Sequence, residues 1–282
     1  MAPHNDVTPI AMLDRVASLL EVFGNRQSMT LAEISRYSNV PRSSAHRILQ
    51  GLVQLGWVER QGLGYALGLR MFELGSKAVR QRRVPDAALP LLADLHRRTG
   101  LTAHLSVLSE AHVLHVHRVG VWPRTGDGWQ VGCKQPVEQT AGGRALLAQL
   151  PETSWPELEF ASATPFGIGS RRELDRDLDK VRLRGGVAVD VQGSALGVTV
   201  IAAPIGICDE KTQFALSLCG PSRTMRADPV IAAVRSASWA IWHALSEVPH
   251  AGGSRARAAH REVTAAMVHR AAESVAVGAG VR

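Results

Sequence analysis

Cationic and hydroxyl side chains cluster at the start of one amphipathic segment, residues 41–55, whose outward face carries no acidic residue. Arg42, Ser43 and Ser44 open the segment. Arg47 follows on the face that a helical period of 100° per residue turns away from the apolar stripe. Phosphate oxygens and base edges bind guanidinium groups, hydroxyls and the exposed N–H groups of a helix start. The segment therefore predicts a DNA-contacting helix, although the pattern alone also fits an ordinary solvated surface helix.

The residues before this segment predict a second, shorter helix that packs against it. Thr30 begins the pattern of a capping box with Glu33, which starts a helix at residues 31–38. Asn39 suits the left-handed conformation of a tight turn, and Pro41 suits the first position of the next helix. The apolar stripe of that next helix consists of Ala45, Ile48, Leu49 and Leu52. The sequence therefore predicts a helix-turn-helix.

A short hairpin follows the helix-turn-helix. Residues 57–60 predict a strand, residues 61–64 a tight turn, and residues 65–67 the return strand. Arg60 and Tyr65 flank this hairpin, which is the wing of a winged helix-turn-helix. A helix with the chemistry described above and a wing attached to it is a fairly specific indication of DNA binding.

Composition limits the class of protein. The 282 residues carry a formal charge of +7, with 45% hydrophobic and 20% charged residues, which is typical of a soluble globular chain. Residues 1–84 hold 11 Lys and Arg against 6 Asp and Glu, so the positive excess lies mainly in the predicted DNA-binding region. No apolar run could cross a membrane, no signal peptide is visible, and the three cysteines lack metal-binding spacing. We therefore expect a cytoplasmic protein with a polyanionic partner and no membrane association.

The remainder of the chain predicts an α+β domain with a mostly antiparallel sheet. Helices are expected at residues 87–98, 140–150, 172–184 and 231–245, and strands at 101–108, 112–119, 128–131, 187–191, 198–205 and 213–218. Pro85 is expected to break the helix that precedes this domain. The expected organisation is a tail at 1–8, a winged helix-turn-helix domain at 9–69, a linker helix at 70–84, the α+β domain at 85–248 and a disordered tail at 249–282.

Four stretches of the chain carry a shared pattern. They read NVPRSSAHRILQGLVQLGWVERQGLGYALGLRMFELG, QTAGGRALLAQLP, RGGVAVDVQGSALGVTVIAAPI and FALSLCGPSRTM. Together they resemble the IclR-type family of bacterial transcription regulators, in unbroken order over roughly residues 10–247. The resemblance implies a winged helix-turn-helix domain, a linker helix and a GAF-like effector-binding domain. It also implies a homodimer, or a pair of dimers, on an operator in double-stranded DNA, with an affinity that responds to a small-molecule effector.

The resemblance also assigns candidate binding residues. For DNA these are Thr30, Pro41, Arg42, Ser43, Ser44, His46, Arg47, Arg60 and Tyr65. For the effector they are Ala141, Gly142, Gly143, Asp190, Val200, Ser217 and Cys219. By position, the helix that contains Arg47 would enter the major groove, and the wing would contact the backbone or the minor groove.

The chemistry of the effector residues fits a small organic acid. Glycines at a helix start expose N–H groups that favour a carboxylate, and Ser217 and Cys219 alternate on one strand face to line a cavity. Aromatic acids and sugar-derived acids suit such a site. Two features keep the effector class open. The glycines could serve only for close packing of the helix on the sheet, and Glu138 adds an acid where the family often has a histidine or a similar polar residue.

A metal-binding protein and an enzyme are the alternatives to a DNA-binding regulator. His115 and His117 are expected on one face of a strand with His104 on its neighbour, which could form a zinc site, although such histidines more often line a sheet face. Cys219 could be a nucleophile or a redox sensor, although no base or electropositive motif accompanies it. No nucleophile elbow, phosphate-binding loop or pair of catalytic carboxylates is visible. We therefore expect no catalytic residue, no metal and no cofactor.

Two functions fit the sequence. The first is a transcriptional regulator, by default a repressor, whose operator affinity is controlled by a small organic acid. The second is a constitutive DNA-binding protein whose C-terminal domain serves only for oligomerisation. A metabolite-binding pocket at Ala141–Gly143, Asp190 and Ser217 would favour the first function, and a filled core of bulky side chains at those positions would favour the second.

Overall fold

The structure is a computed structural model that describes residues 9–24, 26–122, 127–206 and 212–246. The described residues form two compact units, with the division between Gln81 and Arg82. Both expected tails, at 1–8 and 249–282, lie outside the described residues. Among the helices of the described ranges, none has the length and apolar character needed to cross a bilayer.

The first unit is the predicted winged helix-turn-helix. Its elements are α1 (Pro9–Glu21), β1 (Met29–Thr30), α2 (Leu31–Ser38), α3 (Arg42–Gln54), β2 (Val58–Gln61), β3 (Gly64–Leu67) and α4 (Leu69–Arg80). β3 lies between β1 and β2 and pairs antiparallel with both. One apolar core joins the first three helices to the sheet, and its fully buried members include Phe23, Ile34 and Leu49.

Local signals set the boundaries of α2 and α3. The Thr30 hydroxyl accepts from the Glu33 N–H, and the Glu33 carboxylate accepts from the Thr30 N–H at 2.8 Å, so the predicted capping box is present. Asn39 ends α2 in the left-handed conformation, with φ of 55°. Pro41 is the N-cap of α3, so this helix begins one residue later than predicted.

α4 follows the wing and contains no buried residue in the described structure. Leu69 and Phe72 keep 78% and 74% of their surface exposed. The helix ends at Arg80, and the next helix begins at Val84, so the linker helix is shorter than predicted and Pro85 does not break a helix. Proline is accepted in the first turn because the N–H groups there have no intrahelical partner. Pro85 therefore belongs to a helix start.

The second unit is built on a six-stranded sheet. Its elements are α5 (Val84–Thr99), β4 (Thr102–Ser109), β5 (His112–Val119), β6 (Lys134–Pro136), α6 (Ala141–Leu147), α7 (Arg171–Leu183), β7 (Ala188–Val191), β8 (Val198–Ile205), β9 (Phe214–Pro221) and α8 (Ala227–Ser246). The strand order is β6-β5-β4-β9-β8-β7, and each neighbouring pair is antiparallel. The predicted α+β class with an antiparallel sheet is confirmed.

Helices cover both faces of this sheet. α6 packs on one face, where Gly142 lies against Ala215 of β9, and α7 packs on α6. α5 and α8 pack on each other and on the other face, where Asp86 of α5 acts on His117 of β5. The face under α6 carries the strand residues that the sequence assigned to an effector.

Three further segments differ from the prediction. Instead of a strand at 128–131 the chain forms a 3-10 turn, Asp127–Trp129, and the edge strand β6 comes later. The backbone turns at Gly132, where a φ of 90° suits glycine, and this turn takes the preceding residues out of the strand direction. α6 ends at Leu147 rather than at 150, and α8 begins at Ala227, ahead of the predicted 231.

Removal of the Thr30 hydroxyl should weaken the start of α2. We expect Thr30→Ala to lower the free energy of unfolding by about 1 kcal/mol, because the Glu33 N–H loses its acceptor. Thr30→Ser keeps the hydroxyl and serves as the matched control. Hydrogen exchange at the α2 amides measures the change where it arises, and equal protection in Thr30→Ala and the wild type would contradict the expectation.

Candidate nucleic-acid interface and ligand site

The outward face of α3 is polar and cationic. Arg42, Ser43 and Arg47 are exposed, and Gln50 and Gln54 continue the same face. The opposite side places Ala45, Ile48, Leu49 and Leu52 in the core. α3 contains no acidic residue, so the helix itself presents no charge that repels a phosphate. The arrangement matches the pattern read from the sequence.

The other residues near α3 that were predicted to contact DNA differ in their exposure. Ser44 and His46 are half-buried beside the exposed face, and Pro41 is exposed at the N-cap. The Thr30 hydroxyl is engaged with the carboxylate and N–H of Glu33, so its place in the fold is that of a helix cap.

The wing exposes one cationic side chain, Arg60, which is positioned by a buried tyrosine. Arg60 and Tyr65 pair directly across the hairpin, and an Arg60 Nη2 donates to the Tyr65 hydroxyl at 3.1 Å. The guanidinium lies 5.3 Å from the centre of the Tyr65 ring. Arg60 is exposed, whereas Tyr65 is only 3% exposed and belongs to the core. Tyr65 therefore orients Arg60 and is not itself presented at the surface.

The predicted effector residues of the strands share one face of the second unit. Cys219 pairs with Val200, which pairs with Asp190, and Ser217 pairs with His104 on the other side of β9. Directly paired residues of neighbouring strands point to the same face of a sheet. Cys219 and Ser217 alternate along β9, so all of these side chains lie on the face that α6 covers.

α6 brings its own predicted residues onto this face. Ala141 packs in one buried cluster with Val200 and Cys219, and Trp129 from the 3-10 turn joins the same cluster. The structure therefore brings together residues from α6, β8 and β9 that are about 60 to 80 positions apart in the sequence. It adds Trp129, which sequence reasoning had placed on a strand.

The two glycines of α6 differ in what surrounds them. A methyl group at Gly143 would overlap the Val137 carbonyl, and the Gly143 N–H donates to the Thr140 hydroxyl at 2.9 Å. A methyl group at Gly142 would meet the Ala215 side chain at 3.6 Å, which is an ordinary contact. Close packing thus accounts for Gly143, and its N–H already has an acceptor.

Asp190 takes part in a buried ion-pair network. Its Oδ1 accepts from Arg144 Nη2 at 2.8 Å, and its Oδ2 accepts from the Ser194 N–H and hydroxyl at 2.9 and 2.6 Å. Arg144 also lies 2.7 Å from Asp177 and donates to the Glu138 carbonyl at 3.1 Å. Since both Asp190 oxygens are already bonded, Asp190 holds α6 and β7 together.

Sequence reasoning did not single out Arg144. Arg144 is only 2% exposed, although the rest of α6 consists of small and apolar residues. A charged residue inside an apolar helical run was the available signal, because a buried charge requires partners. Its two acids lie on α7 and β7, far along the chain, so the partners could not be identified from spacing.

Two imidazoles are buried on the sheet face beside Trp129. The ring centroids of His104 and His115 lie 5.1 Å apart, and His104 Nε2 donates to the Trp129 carbonyl at 3.2 Å. His115 Nδ1 shares a hydrogen bond of 2.7 Å with the Ser106 hydroxyl. Burial is the main cause that lowers the pKa of His104 to about 3 and that of His115 to about 4, with further lowering by the charge of Arg118. Both rings are therefore neutral at neutral pH.

The predicted common face of His115 and His117 is wrong. β4 and β5 pair with a shift between Leu105 and Ser106, so Leu105 lies opposite His117 and Ser106 lies opposite His115. This bulge turns His117 to the face covered by α5. Within the described ranges, no three His, Cys, Asp or Glu side chains are close enough to hold a metal ion.

Cys219 is buried, and burial raises the pKa of its thiol to about 12. Its Sγ lies 3.9 Å from His104 Nδ1 and 3.6 Å from the Trp122 carbonyl. A thiol with so high a pKa is not a nucleophile at neutral pH. Cys219 therefore acts as a small side chain that packs against the imidazole.

Glu138, which the sequence marked as a departure from the family pattern, precedes α6 in a short 3-10 turn. The side chain is 1% exposed, and its Oε1 makes no hydrogen bond in the described structure. Burial raises the pKa of this carboxyl above its ordinary value. Burial therefore shifts this carboxyl towards its neutral form.

Comparison with known proteins gives consistent matches. The IclR helix-turn-helix domain matches residues 12–62, and the C-terminal domain of the bacterial transcriptional regulator IclR matches residues 76–243. The HTH-type transcriptional regulator KdgR of Dickeya chrysanthemi is 31% identical over 204 residues, which cover 68% of this chain and 67% of the relative. The transcriptional repressor IclR of Escherichia coli K12 is 29% identical over 230 residues, which cover 78% of this chain and 84% of the relative.

Solved structures agree with these matches. The crystal structure of an IclR homolog from Microbacterium hydrocarbonoxydans, complexed with 4-hydroxybenzoate, has a TM-score of 0.71 and 29% identity. The match covers 84% of this chain and 100% of that chain. The crystal structure of an IclR transcriptional regulator from Alicyclobacillus acidocaldarius has a TM-score of 0.72 and 25% identity. The match covers 85% of this chain and 100% of that chain.

The neighbouring glycines of α6 should respond differently to alanine. We expect Gly143→Ala to lower the free energy of unfolding by about 1–3 kcal/mol, because the added methyl group overlaps the Val137 carbonyl. Gly142→Ala meets only an ordinary contact and gains helix propensity, so it should be neutral within about 1 kcal/mol. Urea denaturation followed by circular dichroism compares the two, and similar stability of both variants would refute the packing assignment.

The buried imidazoles should make stability depend on pH. In the unfolded chain each imidazole titrates near 6.5, whereas in the folded protein the pKa of His104 is about 3 and that of His115 about 4. The unfolded state therefore binds more protons, and the free energy of unfolding should fall as the pH drops from 6.5 towards 4. The slope should reach about 1.4 kcal/mol per pH unit for each imidazole.

The double variant His104→Gln/His115→Gln isolates this effect, because all other titrating groups are kept. Urea denaturation at pH 7.5, 6 and 5 should give a shallower loss of stability in the variant than in the wild type. Parallel pH profiles would show that the two imidazoles are not buried in the neutral form.

Proposed function

Because the chain belongs to the IclR family of bacterial transcriptional regulators, we propose that it is a repressor whose operator affinity is controlled by a small organic acid. The main observation in support of DNA binding is the outward face of α3. This face is exposed and cationic and has no acidic residue, while the opposite face of the helix is apolar and buried. This family consists of transcriptional regulators, and its established role is regulatory rather than enzymatic.

On DNA, a dimer places two copies of α3 in successive major grooves of a pseudo-palindromic operator. Arg42, Ser43 and Arg47 contact bases and phosphates from the start and the exposed face of the helix, flanked by Ser44 and His46. Arg60 contacts the backbone or the minor groove from the wing, in the orientation that the Tyr65 hydroxyl supports. Thr30 and Pro41 act through the starts of α2 and α3.

A homodimer, or a pair of dimers, is the proposed assembly. The apolar side chains of Leu69 and Phe72 on α4 support it, because they are among the most exposed large apolar residues of the described chain. α4 connects the two units in sequence, so a dimer formed through it would couple effector binding to the placement of the DNA-binding units. That coupling is a population shift and requires different effector affinities in the two states.

The proposed effector site is the sheet face under α6. Ala141, Val200, Ser217 and Cys219 line it from α6, β8 and β9, with Gly142 facing Ala215 of β9, Gly143 allowing the close approach of α6 to the preceding turn and Asp190 holding that helix in place. The field of Arg118, which reaches the imidazoles on this face, favours an anion. The 4-hydroxybenzoate bound to the Microbacterium relative supports an aromatic acid, and sugar-derived acids are the second class to test.

Constitutive DNA binding is the second candidate function. It is favoured by one observation, namely that the site residues are buried and that the Trp129 ring, 6% exposed, packs on Ala141, Val200 and Cys219. A permanently filled core would leave the second unit to oligomerisation only. The two candidates differ in whether any ligand changes the affinity for DNA. In either case we expect the protein to act in the cytoplasm, where the operator lies.

A fluorescence-anisotropy titration against the DNA upstream of the protein's own gene tests the proposal. It is run at two salt concentrations, with and without a panel of aromatic and sugar-derived acids that includes 4-hydroxybenzoate. Saturable, salt-sensitive binding that one acid shifts would support the proposed regulator. Binding unaffected by every acid would favour the constitutive protein, and no preference over random DNA would contradict both.

Replacement of Arg47 should weaken operator binding. We expect Arg47→Ala to cost about 1–3 kcal/mol of binding free energy and to relax the base preference at one position, because a bidentate contact to a base is lost. Arg172→Ala removes an exposed arginine from α7 and is the control for the loss of one positive charge. Unchanged operator affinity in Arg47→Ala would exclude α3 as the recognition helix.

A further inference from the structure

The sheet face under α6 contains more polar side chains than its packing requires. His104 is fully buried and His115 is 5% exposed, and Ser106 next to them is 2% exposed. Buried polar groups are costly unless each finds a partner, so a core that needed only packing would be expected to carry apolar residues here. These residues lie beside the proposed effector positions, since His104 pairs with Ser217 and lies 3.9 Å from Cys219 Sγ.

The Trp129 indole lies beside these imidazoles. The Trp129 ring is nearly parallel to the His115 ring, with 13° between the planes and 6.3 Å between the centroids, and its centroid lies 6.0 Å from that of His104. The ring is supplied by the short 3-10 turn Asp127–Trp129 rather than by a strand or a long helix. An aromatic ring thus already lies beside the two imidazoles, and it packs in one cluster with Ala141 and Cys219 of the proposed site.

Two buried hydrogen-bonding atoms, one on the His115 ring and one on a side chain beside it, lack a partner in the described structure. His115 Nε2 is buried and makes no hydrogen bond of normal geometry, although the Gln135 amide and the Gly128 backbone lie beside this ring. Gln135 Oε1 is buried and unsatisfied as well. An indole offers one N–H donor and no acceptor, so it cannot accept a hydrogen bond from the His115 ring, whereas a carboxylate can. Unsatisfied buried atoms of this kind point to a missing partner.

We propose that the Trp129 indole occupies the place of the effector's ring, and that a planar aromatic acid displaces it and accepts a hydrogen bond from His115 Nε2 through its carboxylate. The inference rests on the proposed function, because it assigns the ligand class of the same effector site. Arg118 adds a reason for an acid, since its charge acts on His104, His115 and the Cys219 thiol. An aliphatic acid gains the charge interaction but cannot replace the ring on the imidazoles.

If the Trp129 side chain competes with the ligand for the site, it lowers the apparent affinity for that ligand. The apparent affinity of a ligand falls by the fraction of protein in which the site is open, so removal of the competing side chain should raise the affinity. If the indole were only a part of the core, its removal would loosen the site and lower the affinity. The sign of the change therefore separates a displaceable ring from a packing residue.

The first test titrates benzoate, 4-hydroxybenzoate and propionate into the full-length protein by calorimetry. Trp129→Ala should bind the two aromatic acids at least about tenfold more tightly than the wild type does. Trp155→Ala removes a half-buried tryptophan from a different cluster and should leave their affinity unchanged within about twofold. Propionate should bind weakly to every variant. Equal or weaker binding of the aromatic acids by folded Trp129→Ala would overturn the proposal.

A second measurement uses the intact side chain, in case Trp129→Ala does not fold. Protein labelled with 5-fluorotryptophan is observed by 19F NMR, and the Trp129→Phe variant assigns the Trp129 resonance. Saturation with the aromatic acid should move this resonance and make it sensitive to exchange of H2O for D2O, because the indole leaves the core. A resonance that stays buried while the acid saturates the protein would overturn the displacement.

The outcomes separate this inference from the proposed function. If an aromatic acid binds and shifts operator affinity while Trp129 stays in place, the inference fails and the effector-controlled regulator stands. If no acid binds to the wild type or to Trp129→Ala, both the inference and effector control fail, and saturable operator binding would then favour the constitutive DNA-binding protein.

Discussion

The arrangement of the second unit depends on one buried charge. Arg144 lies on the inner side of α6 and reaches Asp190 on β7 and Asp177 on α7, at 2.8 and 2.7 Å. Loss of one partner from such a pair typically costs about 3–5 kcal/mol, because the remaining charge stays buried without compensation. α6 therefore cannot leave the sheet without breaking these contacts. Gly143 allows the start of the same helix to lie directly against the preceding turn.

Two elements of different kinds cover the sheet face. α6 is held by ion pairs to two other elements, whereas Trp129 comes from a three-residue turn and lies beside neutral imidazoles. A ligand that enters here would rearrange the turn while the helix stays in place. The free energy available for regulation is the difference in ligand affinity between two states, which is about 1–3 kcal/mol in typical allosteric proteins. The unsatisfied nitrogen of His115 is a source of such a difference.

The first unit could be predicted almost completely from the sequence, because its signals are local. The capping box of Thr30 and the left-handed Asn39 act within a few residues, and the structure has both. The bulge in β5 could not be foreseen, since it depends on how β4 and β5 pair, and it separates His115 from His117. Arg144 was overlooked for the same reason: its partners are distant in the sequence, and only the folded chain brings them together.

If one ligand site controls DNA affinity, the acid and the operator must change each other's binding by the same factor. A benzoate-class acid is titrated by calorimetry into the free protein and into the protein saturated with operator DNA. Linkage requires that the operator weakens acid binding by the same factor by which the acid weakens operator binding, typically about 5- to 150-fold. We predict equal factors in the two directions. An acid affinity that is the same with and without the operator would contradict the account.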